Sequence, residues 1–409
     1  MKVVLLKGYS QYGALRFYID ELAKVFAAHG DDPVIVDLTE MKDTAARAVV
    51  LERQRPADLV FSFNICGEFR DEKGRTVSDL IDAPHVVMYV DYPLAHLSRL
   101  LDTPPATAIL TVDPSHVQVI DDFFGAEHFA FVGFCPHAAF GEPQPQPATA
   151  EEFFSIRPTP VLCPVSYYTP PPPPWRNYPD VMRKVFTAAA EFALTEEWVP
   201  PLAALDRALI AGGIDFSDPN HRKDLTVVRT LAEEVNEWVR AVRRQRFFEA
   251  AAKVGLPLAV CGNGYDDNIL ARYRNIDYRG PLEAPALLRE MGKSRMVVNL
   301  NANFGRGMHE RVPTAMVAGA VAATDTSAYY REHYAAGSEI ALFRWVHLEE
   351  DLAGIRALLD NGEALFRMAK AGQKKALAQD LWQNRIGIIL AAARAAADRR
   401  AAVRAKRNG

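Results

Sequence analysis

Cysteine is scarce and scattered: Cys66, Cys135, Cys163 and Cys261 are the four in 409 residues, and no two share a close spacing. That excludes a disulfide framework or a paired-thiol zinc site, and it fits a reducing compartment. Long apolar runs are missing as well. None approaches the roughly 18 residues that cross a bilayer. The opening MKVVLLKGYSQYG lacks the apolar core of a signal peptide and reads as a first strand, so the chain is expected to be cytoplasmic. Charge of one sign does not dominate either. Lys and Arg number 47 against 51 Asp and Glu, and the net charge of −4 gives the whole molecule no pull toward nucleic acid or membrane. Finally, no G-x-G-x-x-G follows KVVLL, which argues against a hydride-transfer enzyme.

What is present is the balance of a globular protein, 49% apolar and 24% charged, in a length that suits two domains. In the first half, KVVLL, PVIVDL, ADLVFSF, HVVMYV, ATAILTV and HFAFVG alternate with helix-like stretches. These runs lack a two-residue alternation, as strands covered on both faces do. The rhythm predicts an α/β fold of two Rossmann-like domains. The first spans residues 1–150 and the second 151–380. The second carries a helical insertion at about 178–253, and 381–409 forms a long helix crossing back to the first domain. GEPQPQPATAEEFF, from Gly141 to Phe154, reads as the interdomain linker. The five prolines from Pro170 read as a stiff polyproline spacer, or else as a loop lining a ligand site.

Ligands of open α/β sheets bind beyond the carboxyl ends of the strands. Three places qualify in the second domain. LAVCGNGYDD puts Gly262, Asn263 and Gly264 after a strand, where free N–H groups can meet phosphate, although a tight turn explains them equally. VVNLNANFGRG leaves Asn299, Asn301 and Asn303 after the next; asparagine suits ribose, base or sugar hydroxyls and is also a common turn former. The third is GRGMHERVPTAMVAGAVAATD, Gly305 to Asp325, where Met308 to Ala318 read as a helix packed on the sheet. Arg306, His309 and Arg311 at its start favour an anion, and Glu310 can accept from a ribose diol; a charge merely offsetting the helix dipole is the plainer alternative. From Arg394 to Arg407 the tail has six basic residues and one acid, read as a solvated helix face or as a weak contact with an anionic membrane.

VCGNGYDD, the Asn-rich strand end and GMHERVPTAMVAGAVAATD, in that order, resemble GT-B glycosyltransferases, particularly the bacterial CgeB-like branch. ADLVFSFNICGEF, MYVDYPLAHL and VNEWVRAVRRQRFFEA are similar more loosely. The resemblance implies a nucleotide-sugar donor held mainly by the second domain and transfer without metal; no cofactor is expected, and the resemblance does not specify the donor nucleotide, for which a UDP-sugar is slightly favoured. It implies donor contacts at Gly262, Asn263, Gly264, Arg306, His309, Glu310 and Arg311, with Asn301 beside them. One departure concerns the two glutamates that many GT-B enzymes carry eight positions apart; Arg306 and Thr314 stand there, and inverting transfer is expected over retaining. An inverting path needs a base for the acceptor hydroxyl. In the acceptor-side first domain Asp91 of MYVDYP is the first candidate, with His116 and His137 as alternatives, and Gly8, Ser10 and Gly13 border the acceptor. The acceptor itself, glycan, protein or small molecule, is not specified, and nucleic acid is not expected. A nucleotide-sugar epimerase, or a non-catalytic module that binds a sugar nucleotide, are the alternatives.

Overall fold

The computed structural model describes residues 1–39, 41, 43–64, 70–214, 225–301 and 304–408. Asn303 and Cys66 lie outside the described residues, as does part of the helical insertion. Two compact units divide the chain. Met1–Phe140, Glu283–Pro285 and Gln379–Gly409 form one, and Gly141–Leu282 with Ala286–Ala378 the other.

In the first unit the apolar runs become β1 (Lys2–Lys7), β2 (Asp32–Asp37), β3 (Leu59–Phe63), β4 (His85–Tyr89), β5 (Ala108–Thr111) and β6 (Phe131–Phe134). They pair in parallel in the order β2-β1-β3-β4-β5-β6. Every residue of β3, β4 and β5 is buried, which is why their sequences do not alternate, whereas the edge strands β2 and β6 are partly exposed. The chain order reverses between β1 and β3, so the carboxyl ends of those strands flank a switch point.

The second unit repeats the design with β7 (Thr159–Cys163), β8 (Leu258–Val260), β9 (Ile276–Tyr278), β10 (Ser294–Asn299), β11 (Val321–Asp325) and β12 (Ala341–Phe343). Here the order is β12-β11-β10-β7-β8-β9, again parallel, and the switch point falls between β7 and β10. The crossover from β7 to β8 is expanded by helices Asp180–Thr195, Pro201–Ala211, Thr226–Thr230 and Ala232–Lys253. Buried Arg229 ties this insertion together through a two-pronged bridge to Asp206, at 2.9 Å in each prong. The proline run is fastened to it, since the Trp238 indole donates to the Pro171 carbonyl at 3.0 Å.

Two expectations change. The segment read as a linker belongs to the second unit. The Gln144 amide donates to Val317 O at 3.1 Å, Gln373 Nε2 donates to Gln144 O at 2.6 Å, and a helix at Ala150–Ile156 inserts Phe153 into the core. Prolines hid that helix, but Thr149 caps it by accepting from the Glu152 amide, a Thr-x-x-Glu signature present in ATAEE. The helix expected from Met308 begins only at Arg311 and runs to Val317.

The chain ends in helix Ile386–Asn408, which packs on β4, β5 and β6 of the first unit through Ile386, Ile389, Ala393 and Ala396, a helical spacing. Three of its six basic residues are committed within that unit. Arg400 Nη2 lies 3.0 Å from Asp82 Oδ1, Arg404 pairs with the same carboxylate, and Arg399 Nη2 donates to Glu127 O at 3.3 Å.

Candidate functional site

At the end of β10, Asn299 turns its amide into the sheet and donates to Thr324 Oγ1 at 3.0 Å. Its carbonyl oxygen accepts from Arg311 Nη1 at 2.7 Å. Arg311 is thus positioned by a neutral group, and among the described residues it meets no carboxylate within ion-pair distance. Two residues on, the buried Asn301 donates through Nδ2 to Phe304 O at 2.6 Å, and its backbone N–H donates to Asp325 Oδ1 at 2.5 Å. Tyr330 OH accepts from the His309 amide at 2.9 Å and stands 3.5 Å from Asn301 Oδ1. His309 Nδ1 lies 2.5 Å from Glu310 Oε2. One hydrogen-bonded turn therefore gathers Asn299, Asn301, His309, Glu310 and Arg311 at the carboxyl end of β10. Glu310 occupies the position before the helix without a side-chain cap, so it does not close the helix end, and Arg306 on the same turn is exposed.

Glycine lets this turn form. A Cβ on Gly305 would stand 1.2 Å from Cδ2 of Trp198, so the indole of the insertion lies directly on the Gly305 backbone. The Gly-Asn-Gly stretch has a comparable reason. The Asn263 amide donates to Ser166 Oγ at 3.1 Å, Tyr167 N donates to Asn263 O at 2.9 Å, and a Cβ on Gly264 would meet Tyr167 O at 1.7 Å. These glycines bring the loops after β7 and β8 together beside the switch point, and the close approach accounts for Gly262 and Gly264 without a ligand.

The residues that sequence reasoning passed over come from helix Ala232–Lys253. Arg240, Arg243 and Arg244 line a recess with Asn236, Asn301 and Trp345. Arg244 makes no hydrogen bond or ion pair among the described residues. Burial, then the neighbouring Arg240 guanidinium, pushes it down to about 10; Arg311 acts in the same direction and Glu237 against it. Two guanidiniums of the switch point, Arg244 and Arg311, so repel each other. A half-buried cation with only Glu237 to offset its like-charged neighbours carries a desolvation cost that an arriving anion relieves. The signal in the sequence was the four-residue spacing of Arg240 and Arg244 on the face that also carries the buried Val239 and Phe247.

Asp325, at the end of β11, is the other group missed. Burial raises its carboxyl to about 7, against the N–H groups of Asn301 and Trp345 and the charge of Arg243. Trp345 Nε1 donates to Asp325 Oδ2 at 2.9 Å, so this carboxyl ties two walls of the recess together.

In the first unit Asp91 follows β4, exposed, with Oδ2 accepting from Asn64 Nδ2 at 2.7 Å and lying 3.3 Å from His96 Nε2. Asn64 follows β3 at φ 48° and accepts from Val90 N at 2.9 Å. Asp91 is open to solvent and oriented from two sides, as a proton acceptor requires. His116 and His137, the alternatives, are 0% and 1% exposed, and His116 lies edge-on to Tyr92 at 5.4 Å. Both are thus buried, whereas Asp91 is exposed. Among the described residues no three His, Cys, Asp or Glu side chains gather as metal ligands, and no helix is long and apolar enough to cross a membrane.

Residues 243–391 match the family model described as Glycosyl transferase-like, a match that begins at Arg243 and takes in the whole β10–β11 turn. Comparison with curated proteins gives no match. Solved structures similar to the chain include an α-glucosyltransferase in complex with UDP and a 13-mer DNA containing an HMU base. It is 10% identical, with 96% of this chain and 99% of that one covered and a TM-score of 0.56. Anabaena HepE in complex with UDP and glucose is 11% identical over 96% and 99%, with a TM-score of 0.51. Sucrose-phosphate synthase from Thermosynechococcus elongatus is 10% identical over 99% and 100%, also at 0.51. The fold is GT-B, as the sequence resemblance implied.

Proposed function

We propose that the protein is a glycosyltransferase whose nucleotide-sugar donor binds in the second unit, its diphosphate across Arg244 and Arg311. The observation that carries this is the pair itself: two guanidiniums near a β-sheet switch point, one of them half-buried, with no carboxylate bridging them among the described residues. A diphosphate supplies the missing negative charge, and Arg can hold phosphate oxygens in two-pronged geometry. The Glycosyl transferase-like match supports the reading, as do similar structures holding UDP. UDP is accordingly the favoured leaving group.

In this reaction the bond from the anomeric carbon to the phosphate oxygen breaks, and its electron pair stays on the diphosphate. Fixed cations aimed at that developing charge stabilise the transition state most, because they need no reorganisation. Arg244 and Arg311 supply such charge from the chain, so transfer is assigned as metal-independent and without cofactor. Glu310, held beside His309, is assigned to accept from a ribose hydroxyl, and Asn263 offers its side-chain amide beyond β8. Arg306 and Thr314 bring no carboxylate to the sugar, which favours inversion. The acceptor hydroxyl then attacks the anomeric carbon and gives its proton to Asp91 of the first unit.

The test is thermal stabilisation by UDP, GDP, dTDP, CMP and NAD with EDTA present. A ligand at 100 times its dissociation constant adds about 2.7 kcal/mol. A shift with one nucleoside diphosphate is expected, UDP first. No shift with any of them removes the donor assignment.

A further inference from the structure

Beside Arg244 the second unit forms a partly open recess with about 40 Å³ of water-accessible space. One water requires roughly 10–15 Å³ on that measure, so the recess takes about three waters or one compact ionic group.

Its polar wall has one sign. Arg240, Arg243 and Arg244 line it, with Asn236 and Asn301, and no aspartate or glutamate among the described residues does. Each of the first two arginines is anchored at one end. Arg240 Nη1 pairs with Glu237, while Arg243 Nη2 donates to Ala193 O at 2.6 Å and its guanidinium lies 5.3 Å from the Trp345 ring centroid. The Nε–H groups of both are buried and meet no acceptor among the described residues. Much of the remaining wall is apolar, Val235, Val239 and Leu300 included.

Buried donors left without acceptors are costly, and an acceptor-only group relieves them best. A neutral sugar brings hydroxyls that donate as well as accept, and among the described lining side chains the two asparagine amides are the acceptors offered to those protons. A carboxylate accepts on both oxygens and matches guanidinium geometry. We infer that the recess receives the carboxylate of an acidic sugar, so that the donor is a nucleoside diphosphate hexuronate rather than a neutral hexose. The inference rests on the donor reading above: a diphosphate held by Arg244 and Arg311 brings its sugar to the side of Arg244 that faces the recess.

The experiment is calorimetric titration of the full chain with UDP, GDP and dTDP, each as free diphosphate, hexose and hexuronate. For the base that binds, the hexuronate is expected to bind about tenfold or more tightly than the hexose, the return of one charge-assisted hydrogen bond. Arg240→Gln and, separately, Asn236→Ala should each reduce that ratio, with melting curves confirming a folded protein. Equal affinity for all three forms of one nucleotide means that the diphosphate itself fills the recess, and it overturns the inference while the donor reading stands. A ratio that persists in both folded variants overturns it as well. Absence of binding by every diphosphate overturns the donor reading, and this inference with it.

Discussion

Arg244 poses the residue-scale question most sharply. A guanidinium lowered to about 10 by burial and then by Arg240, with Arg311 also repelling it, is a cost to the empty protein. Replacing it by an apolar side chain of similar length should relieve that cost. Arg244→Met is therefore expected to melt at a higher temperature than the parent and to bind nucleoside diphosphate about tenfold to a hundredfold more weakly, the range of a hydrogen bond to a charged group. Calorimetry and melting on the same preparations check both halves. A variant that is destabilised and binds normally would make Arg244 a structural cation. Arg311→Ala should weaken binding by a similar factor, and it also strips Asn299 Oδ1 of its 2.7 Å partner. This scale was the least legible in the sequence. His309, Glu310 and Arg311 stood out because glycines and a strand end frame them, whereas Arg240 and Arg244 sit within a long amphipathic helix rich in charge, where no single arginine is marked out. Only tertiary packing decides that they point at β10.

Single elements were easier to read, with failures that have physical causes. Buried parallel strands announce themselves as uninterrupted Val, Ile and Phe, and β3, β4, β10 and β11 were legible for that reason. The helix at Ala150–Ile156 was lost among prolines, and the start at Arg311 was misplaced because the turn before it is held by Tyr330 OH on the His309 amide, a long-range contact. Gly305 tests the same turn. Its missing Cβ leaves room for the Trp198 ring, so Gly305→Ala must expel the indole, at a cost of about 1–3 kcal/mol for overpacking. Urea melts of the variant should show that loss, and Trp198→Ala in the same chain should recover part of it. No recovery would place the strain elsewhere in the turn.

Asp325 ties the end of β11 to both Asn301 and Trp345, and it adds a pH dependence with a definite sign. Burial raises its carboxyl to about 7 in the folded chain, above the unfolded value near 3.8. The folded state holds the proton more firmly, so this stability is complete below about pH 4 and lost as pH rises through about 7, with a slope of roughly 1.4 kcal/mol per unit between. Glu233, raised to about 8 by burial and then by Glu237, adds a slope of the same sign. Chemical denaturation of Asp325→Asn from pH 4 to 7 should show a shallower decline than the parent. An unchanged profile would mean that Asp325 ionises normally.

For the whole molecule the decisive quantity is how charge is distributed. The chain carries a net −4, yet its last helix carries the whole basic run from Arg394 to Arg407, and a sequence cannot say whether such a run faces solvent or folds back. In the structure Arg400 and Arg404 converge on Asp82, and Arg399 donates to the Glu127 carbonyl. Beneath them Arg385 is buried against Asp380 at 2.7 Å and donates to the carbonyls of Pro136 and His137, so the tail is fixed to the first unit from its base upward. A juxtamembrane basic residue contributes about 1 kcal/mol only when its charge is available to the lipid, and the committed arginines are not. The full chain should therefore fail to sediment with vesicles containing phosphatidylserine at physiological salt. Asp82→Asn, which removes the carboxylate from between Arg400 and Arg404, should raise whatever residual association is seen at low salt. Firm, salt-sensitive binding by the unaltered chain would show that the tail reaches lipid despite these bridges, and the weak membrane contact open from the sequence would then become the correct reading.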